Sequence, residues 1–265
     1  MIKVDNTLLV CSKSTRAFLS DIKRAMVISS SMDEKEFKKL QNTEEQVIAV
    51  GGGAVIDAAK IICKNPIVCY PTTAAGSCYT SHSVYWSDTN KKSIKVPIPK
   101  QVIIREKLLE SLPVSVLNNT RFDALSHCLD SLWSINKTKK SIKLCYQSLE
   151  LLKSCESRKQ LIEAGNLAGQ AINICPTTVL HSLSYPLTSF YQISHGRALG
   201  ALLKPVCDYM KFDISDYMTE PFLTLPKINC ELVAKEAIKY QKIFDTSQKI
   251  CYTDIVRILN SIIKE

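Results

Sequence analysis

The 265-residue chain is 46% hydrophobic with a formal charge of +9, which excludes a disordered polymer and allows one large or two modest domains with a true core. Its basic residues are scattered, with short runs only at Lys91-Lys92 and Lys137 to Lys140 and few interleaved aromatics, which argues against nucleic acid as a partner. No apolar run approaches a membrane span and no signal-peptide core stands at the N-terminus, so a cytoplasmic protein without membrane contact is expected.

In chain order, Thr7 to Cys11, Ala25 to Ser29 and Gln46 to Val50 read as short buried strands. The third runs into Gly51-Gly52-Gly53 and then a helix through Asp57 to Cys63, and Pro66 to Tyr70 reads as a further strand. Short buried strands separated by helices predict a parallel sheet. Past Leu112-Pro113 the texture changes, with helical spacing over Phe122 to Ile135, Ser141 to Leu152, Arg158 to Ile174, Thr177 to Ser184 and Leu232 to Ile243. The division expected is an α/β domain over 1–112 and a helical domain over 113–265, with a cleft between them. The eleven cysteines are widely spaced and form no CxxC pair, which points to buried free thiols in a reducing compartment.

Three features carry chemistry. Glycines between a strand and a helix let a backbone approach a pyrophosphate, which the free N–H groups of the helix start would hold. The same glycines also suit any tight turn. Thr72 and Thr73 follow a strand and line the edge of a parallel sheet where ligands bind, although threonines there also cap helices. Asp123 and His127 are four apart on a helical stretch and share one face. His181 ends another helical run, and His195 lies in a turn before Gly196. A carboxylate with three imidazoles suits Fe²⁺ or Zn²⁺. The fourth histidine, His82, has no partner at ligand spacing and is read as unrelated to a metal.

Four segments in order, GGGAVIDAAK (Gly51 to Lys60), PTTAAGS (Pro71 to Ser77), FDALSHCLD (Phe122 to Asp130) and HSLSYPLTSFYQISHG (His181 to Gly196), resemble the iron-containing alcohol dehydrogenase family, which is related to dehydroquinate synthases. The likeness extends to about Pro205. It implies a dinucleotide-binding α/β domain followed by an all-helical metal domain, a dehydroquinate synthase-like architecture shortened here at both ends. The segment between Cys11 and Val47 looks short for the elements expected there, and a partner subunit in a homodimer could complete such a domain. By the resemblance, Gly51, Gly52 and Gly53 hold the pyrophosphate, Asp57 supports that loop, and Thr72, Thr73 and Ser77 lie beside the cofactor. Lys92 falls near a lysine that reaches the nicotinamide ribose, with Lys91 as competitor. Asp123, His127, His181 and His195 match the metal ligands.

The implied reaction is reduction of a small aldehyde to a primary alcohol with NAD(P)H on a bound Fe²⁺, or Zn²⁺ in its place. Short strings around Tyr185 to Thr188 and Asp130 to Trp133 resemble the phosphonoacetaldehyde reductase branch, which would make the substrate anionic. Tyr185 stands where the family has a histidine proposed as proton relay, Arg121 replaces a glycine, and the GTGSE-type run is shortened to Ala75 to Cys78. Ser12 replaces an aspartate that repels a 2′-phosphate and is followed by Lys13, so NADPH is expected to serve at least as well as NADH. Arg197 and Arg121, near helix starts beside metal ligands, are the expected contacts for an anionic substrate. Two other classes stand beside this reading: a non-redox cyclase or lyase, and a non-catalytic metal-binding homologue.

Overall fold

The computed structural model describes residues 7–16, 25–28, 46–87, 90–110, 112–217 and 223–264. Most of the segment between Cys11 and Val47, whose shortness was noted above, lies outside the described residues, as do Ser29 and Ser111.

Five strands form one sheet in the order β2-β1-β3-β4-β7, and every pair in it is parallel. They are β1 (Thr7–Cys11), β2 (Ala25–Val27), β3 (Gln46–Gly51), β4 (Val68–Pro71) and β7 (Gln101–Val102). The inner strands are apolar on both faces, as a covered parallel sheet requires. Leu8, Val10, Val47 and Ala49 pack with the helix after β3, while Leu9, Cys11, Ile48 and Val50 fill the opposite face. Parallel register puts Cys11 beside Val50 and Gly51 beside Pro71. Ser12, the glycine run and Thr72-Thr73 therefore share one edge of the sheet, beyond the strands' C-terminal ends.

A one-turn helix, α1 (Lys13–Arg16), follows β1, and α2 (Gly53–Ile62) follows β3. Before β7 the chain makes an antiparallel hairpin, β5 (His82–Ser87) with β6 (Asn90–Lys95). The sequence reading did not anticipate it, because alternation there is blurred by the polar run Asn90-Lys91-Lys92-Ser93. Lys60 fixes the hairpin base from below. Its side chain is fully buried, pairs with Asp57 Oδ1 at 3.0 Å, and donates to the carbonyls of Ser77 (2.9 Å) and His82 (2.8 Å) and to Thr80 Oγ1 (3.1 Å).

After the short α3 (Glu106–Leu109) the chain is helical: α4 (Val114–Trp133), α5 (Lys139–Lys153), α6 (Arg158–Ile174), α7 (Val179–Tyr191), α8 (His195–Tyr209), α9 (Cys230–Ala237) and α10 (Tyr252–Asn260). Local chemistry sets several starts. Thr138 and Ser141 form a reciprocal capping box at α5, Ser157 accepts from Gln160 N at α6, and Asn229 accepts from Leu232 N at α9. One core joins these helices through Leu125, Leu129, Leu149, Ala164, Leu180, Leu199 and Val233. Helix α6 also meets the sheet half. The carbonyls of Ala74 and Gly76 lie so close to Gly165 and Gly169 that an added Cβ would sit 2.1 and 2.2 Å from them. The expected run Leu232 to Ile243 is in fact α9 plus a separate 3-10 turn, Gln241–Phe244. Nine of the eleven cysteines are buried and all are free. No helix among the described residues is long and apolar enough to cross a membrane.

Candidate metal and cofactor site

Asp123, His127 and Asp130 lie on α4 at spacings of four and three, hence on one helix face. His181 is the third residue of α7, not the end of a helical run, and His195 is the first residue of α8, not a turn residue. Gly196 allows that placement, since a Cβ there would stand 2.3 Å from the Asn119 carbonyl on α4. The start of α8 therefore rests directly on α4, and His195 is delivered beside Asp123.

The Nε2 atoms of three imidazoles converge on one carboxylate oxygen. From Asp123 Oδ1 the distances are 3.4 Å to His127, 3.4 Å to His181 and 3.7 Å to His195. Asp123, His127 and His181 each offer a ligand atom within 4.8 Å of the others. His195 stands at the open side, its side chain 33% exposed against 3% for His181. His127 and His181 stack with centroids 4.6 Å apart and planes within 9°.

Asp130, which the sequence reading left without a role, orients His181. Its Oδ2 lies 2.8 Å from His181 Nδ1, and its Oδ1 accepts from Thr178 Oγ1 (3.0 Å) and Leu180 N (3.0 Å). Burial alone would raise the Asp130 carboxyl, but the His181 contacts and backbone N–H groups hold it below its ordinary value. An ionised Asp130 only accepts, so Nδ1 keeps a proton, and Nε2 presents a lone pair towards Asp123 once the imidazolium has given up its second proton. Ser184 does the same for His195. Its hydroxyl donates to the His181 carbonyl (2.8 Å) and lies 3.3 Å from His195 Nδ1, leaving Nε2 to face Asp123.

This donor set fits a divalent cation. Asp123 Oδ1 and His181 Nε2 are buried without a hydrogen-bond partner, an expensive arrangement unless a cation lies between them. Burial opposes charge on His127 and holds it down to about 4, and burial likewise pushes His195 well below its ordinary value. Both imidazoles are ready to ligate at neutral pH. Asp123 is depressed because the three imidazoles outweigh its burial. At His181 burial works against the imidazolium, yet Asp123 and Asp130 raise it to about 9. One proton must therefore leave His181 when an ion binds below that pH. Zn²⁺ affinity should climb about tenfold per pH unit from pH 7 to 9 and flatten above. Competition with a chelator of known pH dependence reads this, and a flat profile would show that His181 is already neutral.

The sheet edge offers a second candidate region. Gly52 caps α2 with no side chain over the free N–H groups. A Cβ on Gly52 would meet Thr73 at 3.1 Å, and one on Gly53 would meet Ser77 Oγ at 3.0 Å. The glycines thus keep open a cradle walled by two hydroxyl residues at a helix N-terminus, which suits a diphosphate. Thr72 is buried and its N–H donates to the Gly51 carbonyl (3.0 Å). Ser12 Oγ lies 2.9 Å from Thr15 Oγ1, and Lys13 is exposed beside it.

Three expectations need correction. Asp57 does not brace the glycine loop: Oδ2 accepts from Val84 N (3.1 Å) and Oδ1 meets Lys60, so it ties α2 to the hairpin. Lys91, not Lys92, faces the metal cluster. Strand alternation sends neighbours to opposite faces, and Lys91 Nζ sits 3.8 Å from the Tyr185 ring centroid while Lys92 is exposed. Arg121 donates to the Leu152 carbonyl at the last turn of α5 (2.7 Å), and Arg197 is exposed. Neither arginine converges on the cluster. Tyr185 does: its ring lies parallel to His195 at 6.1 Å, and its Oη accepts from Lys242 Nζ at 3.0 Å. Burial would raise this phenol, but Lys242, Lys91 and His181 bring it down to about 6.

Comparison with known proteins decides the family. Residues 10–113 match the description "Iron-containing alcohol dehydrogenase", and residues 118–221 match "Fe-containing alcohol dehydrogenase family, C-terminal". The chain belongs to the iron-containing alcohol dehydrogenase family. Among relatives of this family member, phosphonoacetaldehyde reductase of Streptomyces viridochromogenes is 26% identical over 206 residues, 61% of this chain and 52% of that protein. The 1-propanol dehydrogenase PduQ of Salmonella typhimurium is 28% identical over 186 residues, 60% of this chain and 50% of that protein. The chain thus spans about half the length of the curated relatives it matches. In fold it is similar to an iron-containing alcohol dehydrogenase from Thermotoga maritima, with TM-score 0.85, 21% identity and coverage of 98% and 92% of the two chains. It is also similar to sulfoacetaldehyde reductase from Bifidobacterium kashiwanohense in complex with NAD⁺, with TM-score 0.84, 19% identity and coverage of 98% and 91%. The α/β sheet followed by helices is the architecture of these neighbours.

Proposed function

We propose that the protein is a metal-dependent oxidoreductase that reduces an aldehyde to a primary alcohol with NAD(P)H. The convergence of three imidazole Nε2 atoms on Asp123 Oδ1 carries this reading. The cofactor domain is 1–112 and the metal domain 113–265. Asp123, His127, His181 and His195 would hold the ion, Fe²⁺ first and Zn²⁺ in its place. Gly51, Gly52 and Gly53 with Thr72, Thr73 and Ser77 would cradle the diphosphate, and Ser12 leaves room for the 2′-phosphate of NADPH. When bound, the ion supplies a Lewis acid for a carbonyl oxygen and the reduced nicotinamide supplies the hydride.

The chain's own residues do the rest. Asp130 and Ser184 fix two imidazoles so that their lone pairs face inward. The Tyr185 ring stacks on His195, and its phenol, brought down to about 6 by the neighbouring lysines and His181, would exchange a proton with the substrate oxygen in either direction. The balance is aldehyde, NAD(P)H and one proton to alcohol and NAD(P)⁺. The substrate favoured is phosphonoacetaldehyde, giving 2-hydroxyethylphosphonate, in keeping with the Streptomyces relative.

Protein loaded with Fe²⁺ or Zn²⁺ should consume NADPH in the presence of phosphonoacetaldehyde or propanal, seen as loss of reduced-cofactor absorbance. Metal-loaded protein that consumes no NADPH with either aldehyde would overturn the oxidoreductase reading and favour a binding homologue.

A further inference from the structure

Two ammonium groups reach Tyr185, whose ring stacks on His195 of the metal cluster, from elements distant in sequence. Lys91 comes from β6 of the hairpin, and its Nζ lies 3.8 Å from the Tyr185 ring centroid. Lys242 comes from the 3-10 turn after α9, with Nζ 4.9 Å from the same centroid. Lys242 also donates to Thr177 Oγ1 (2.7 Å) and Tyr185 Oη (3.0 Å). It lies outside both stretches that match the family descriptions. Both lysines are half-buried, and neither has a carboxylate partner among the described residues.

Charge balance makes this unusual. A divalent ion offsets the two nearby carboxylates, Asp123 and Asp130. The two ammoniums are then opposed by at most one phenolate, on Tyr185. A positive surplus remains whether that phenol is ionised or not. Lys242 spends two of its three N–H donors on Thr177 and Tyr185, and Lys91 faces a ring, so N–H donors are left over. Two half-buried cations with unspent donors, no carboxylate partner among the described residues and at most one phenolate between them suit an anion.

We propose that Lys91 and Lys242 form the subsite for a negatively charged group on the substrate, so that the site selects short aldehydes carrying a phosphonate or sulfonate. This rests on the aldehyde-reductase reading above. It moves anion recognition from the arginines expected from sequence to two lysines. Tyr185 is the floor of the subsite: its ring spaces the ammoniums, and its position beside His195 sets the anion a short spacer away from the carbonyl.

The test uses Zn²⁺-loaded protein and two readouts. The first is calorimetric binding of ethylphosphonate, which cannot be reduced, with 1-propanol as the neutral comparison. The second is the ratio of kcat/KM for phosphonoacetaldehyde to that for propanal. Losing one charged hydrogen-bonded contact corresponds to about a tenfold to hundredfold change. Lys242→Met should weaken ethylphosphonate binding and lower the kcat/KM ratio by that factor, and Lys242→Arg should restore most of both. Lys91→Gln, on a two-stranded hairpin, gives an independent reading if Lys242→Met folds poorly. Lys242-dependent binding of ethylphosphonate without turnover of either aldehyde would uphold the subsite while removing the reductase reading. Turnover with no preference for the anionic aldehyde, or equal loss for both aldehydes in Lys242→Met and Lys91→Gln, would overturn the subsite and leave the reductase reading standing.

Discussion

Asp123→Ala is expected to release the bound ion and abolish turnover. Asp123 is the one carboxylate on which the three imidazole Nε2 atoms converge, and so the only charged ligand in the set. Without it, neutral imidazoles alone would hold a divalent ion, and the buried Nε2 atoms would face one another across a gap. Affinity should fall by more than about a hundredfold, beyond the roughly tenfold to hundredfold typical of losing an outer-sphere partner. Asp130→Asn supplies that milder comparison, because it weakens the hold on His181 Nδ1 and leaves every ligand atom in place. His82→Ala should keep full occupancy, since His82 is exposed on β5 with its Nδ1 near Ser81. Elemental analysis after dialysis, with thermal melts in the presence and absence of Zn²⁺, ranks the three variants. Equal metal content in all three would place the ion elsewhere.

Gly169→Ala should be among the most damaging single-methyl additions in the chain. Gly169 lies where α6 touches the loop after β4, and the new Cβ would stand 2.2 Å from the Gly76 carbonyl oxygen and 2.7 Å from its Cα. Both neighbours are backbone, and Gly76 is itself held at φ +72°, so neither side yields by a rotamer change. The helix and the loop must part. A cost of about 3 kcal/mol is expected, or roughly 6–12 °C in Tm for a chain of this size. Because the displaced loop carries Thr73, Ala75 and Ser77 against the glycine cradle, KM for the dinucleotide should rise in whatever protein remains folded. Calorimetry and steady-state kinetics measure the two effects. An unchanged Tm would mean that α6 and the loop do not meet this closely.

Much of this was legible in the sequence where local pattern decides the outcome. The apolar runs Thr7 to Cys11 and Gln46 to Val50 became adjacent parallel strands because such runs are stable only when both faces are covered. The spacing of Asp123 and His127 fixed their shared face before any fold was known. Asp130 was equally readable, seven residues after Asp123 on the same face, yet a carboxylate that acts through a histidine leaves no ligand-spacing signal. The hairpin was missed because its polar strands are paired by tertiary support from Asp57 and Lys60 rather than by apolar alternation. The choice between Lys91 and Lys92 needed the strand's facing, which one residue of register reverses. Lys242 could not be foreseen, because it reaches Tyr185 across 57 residues of chain through helix packing alone.

The geometry of the cluster leads to one expectation, a single divalent ion held by Asp123, His127, His181 and His195. Its most direct test is an anomalous-diffraction map of crystals of the Zn²⁺-loaded protein, recorded at the zinc absorption edge. A single strong peak is expected among the Asp123 carboxylate and the three imidazole Nε2 atoms, with His181 still paired to Asp130. A peak at other residues, with the four side chains metal-free, would contradict it.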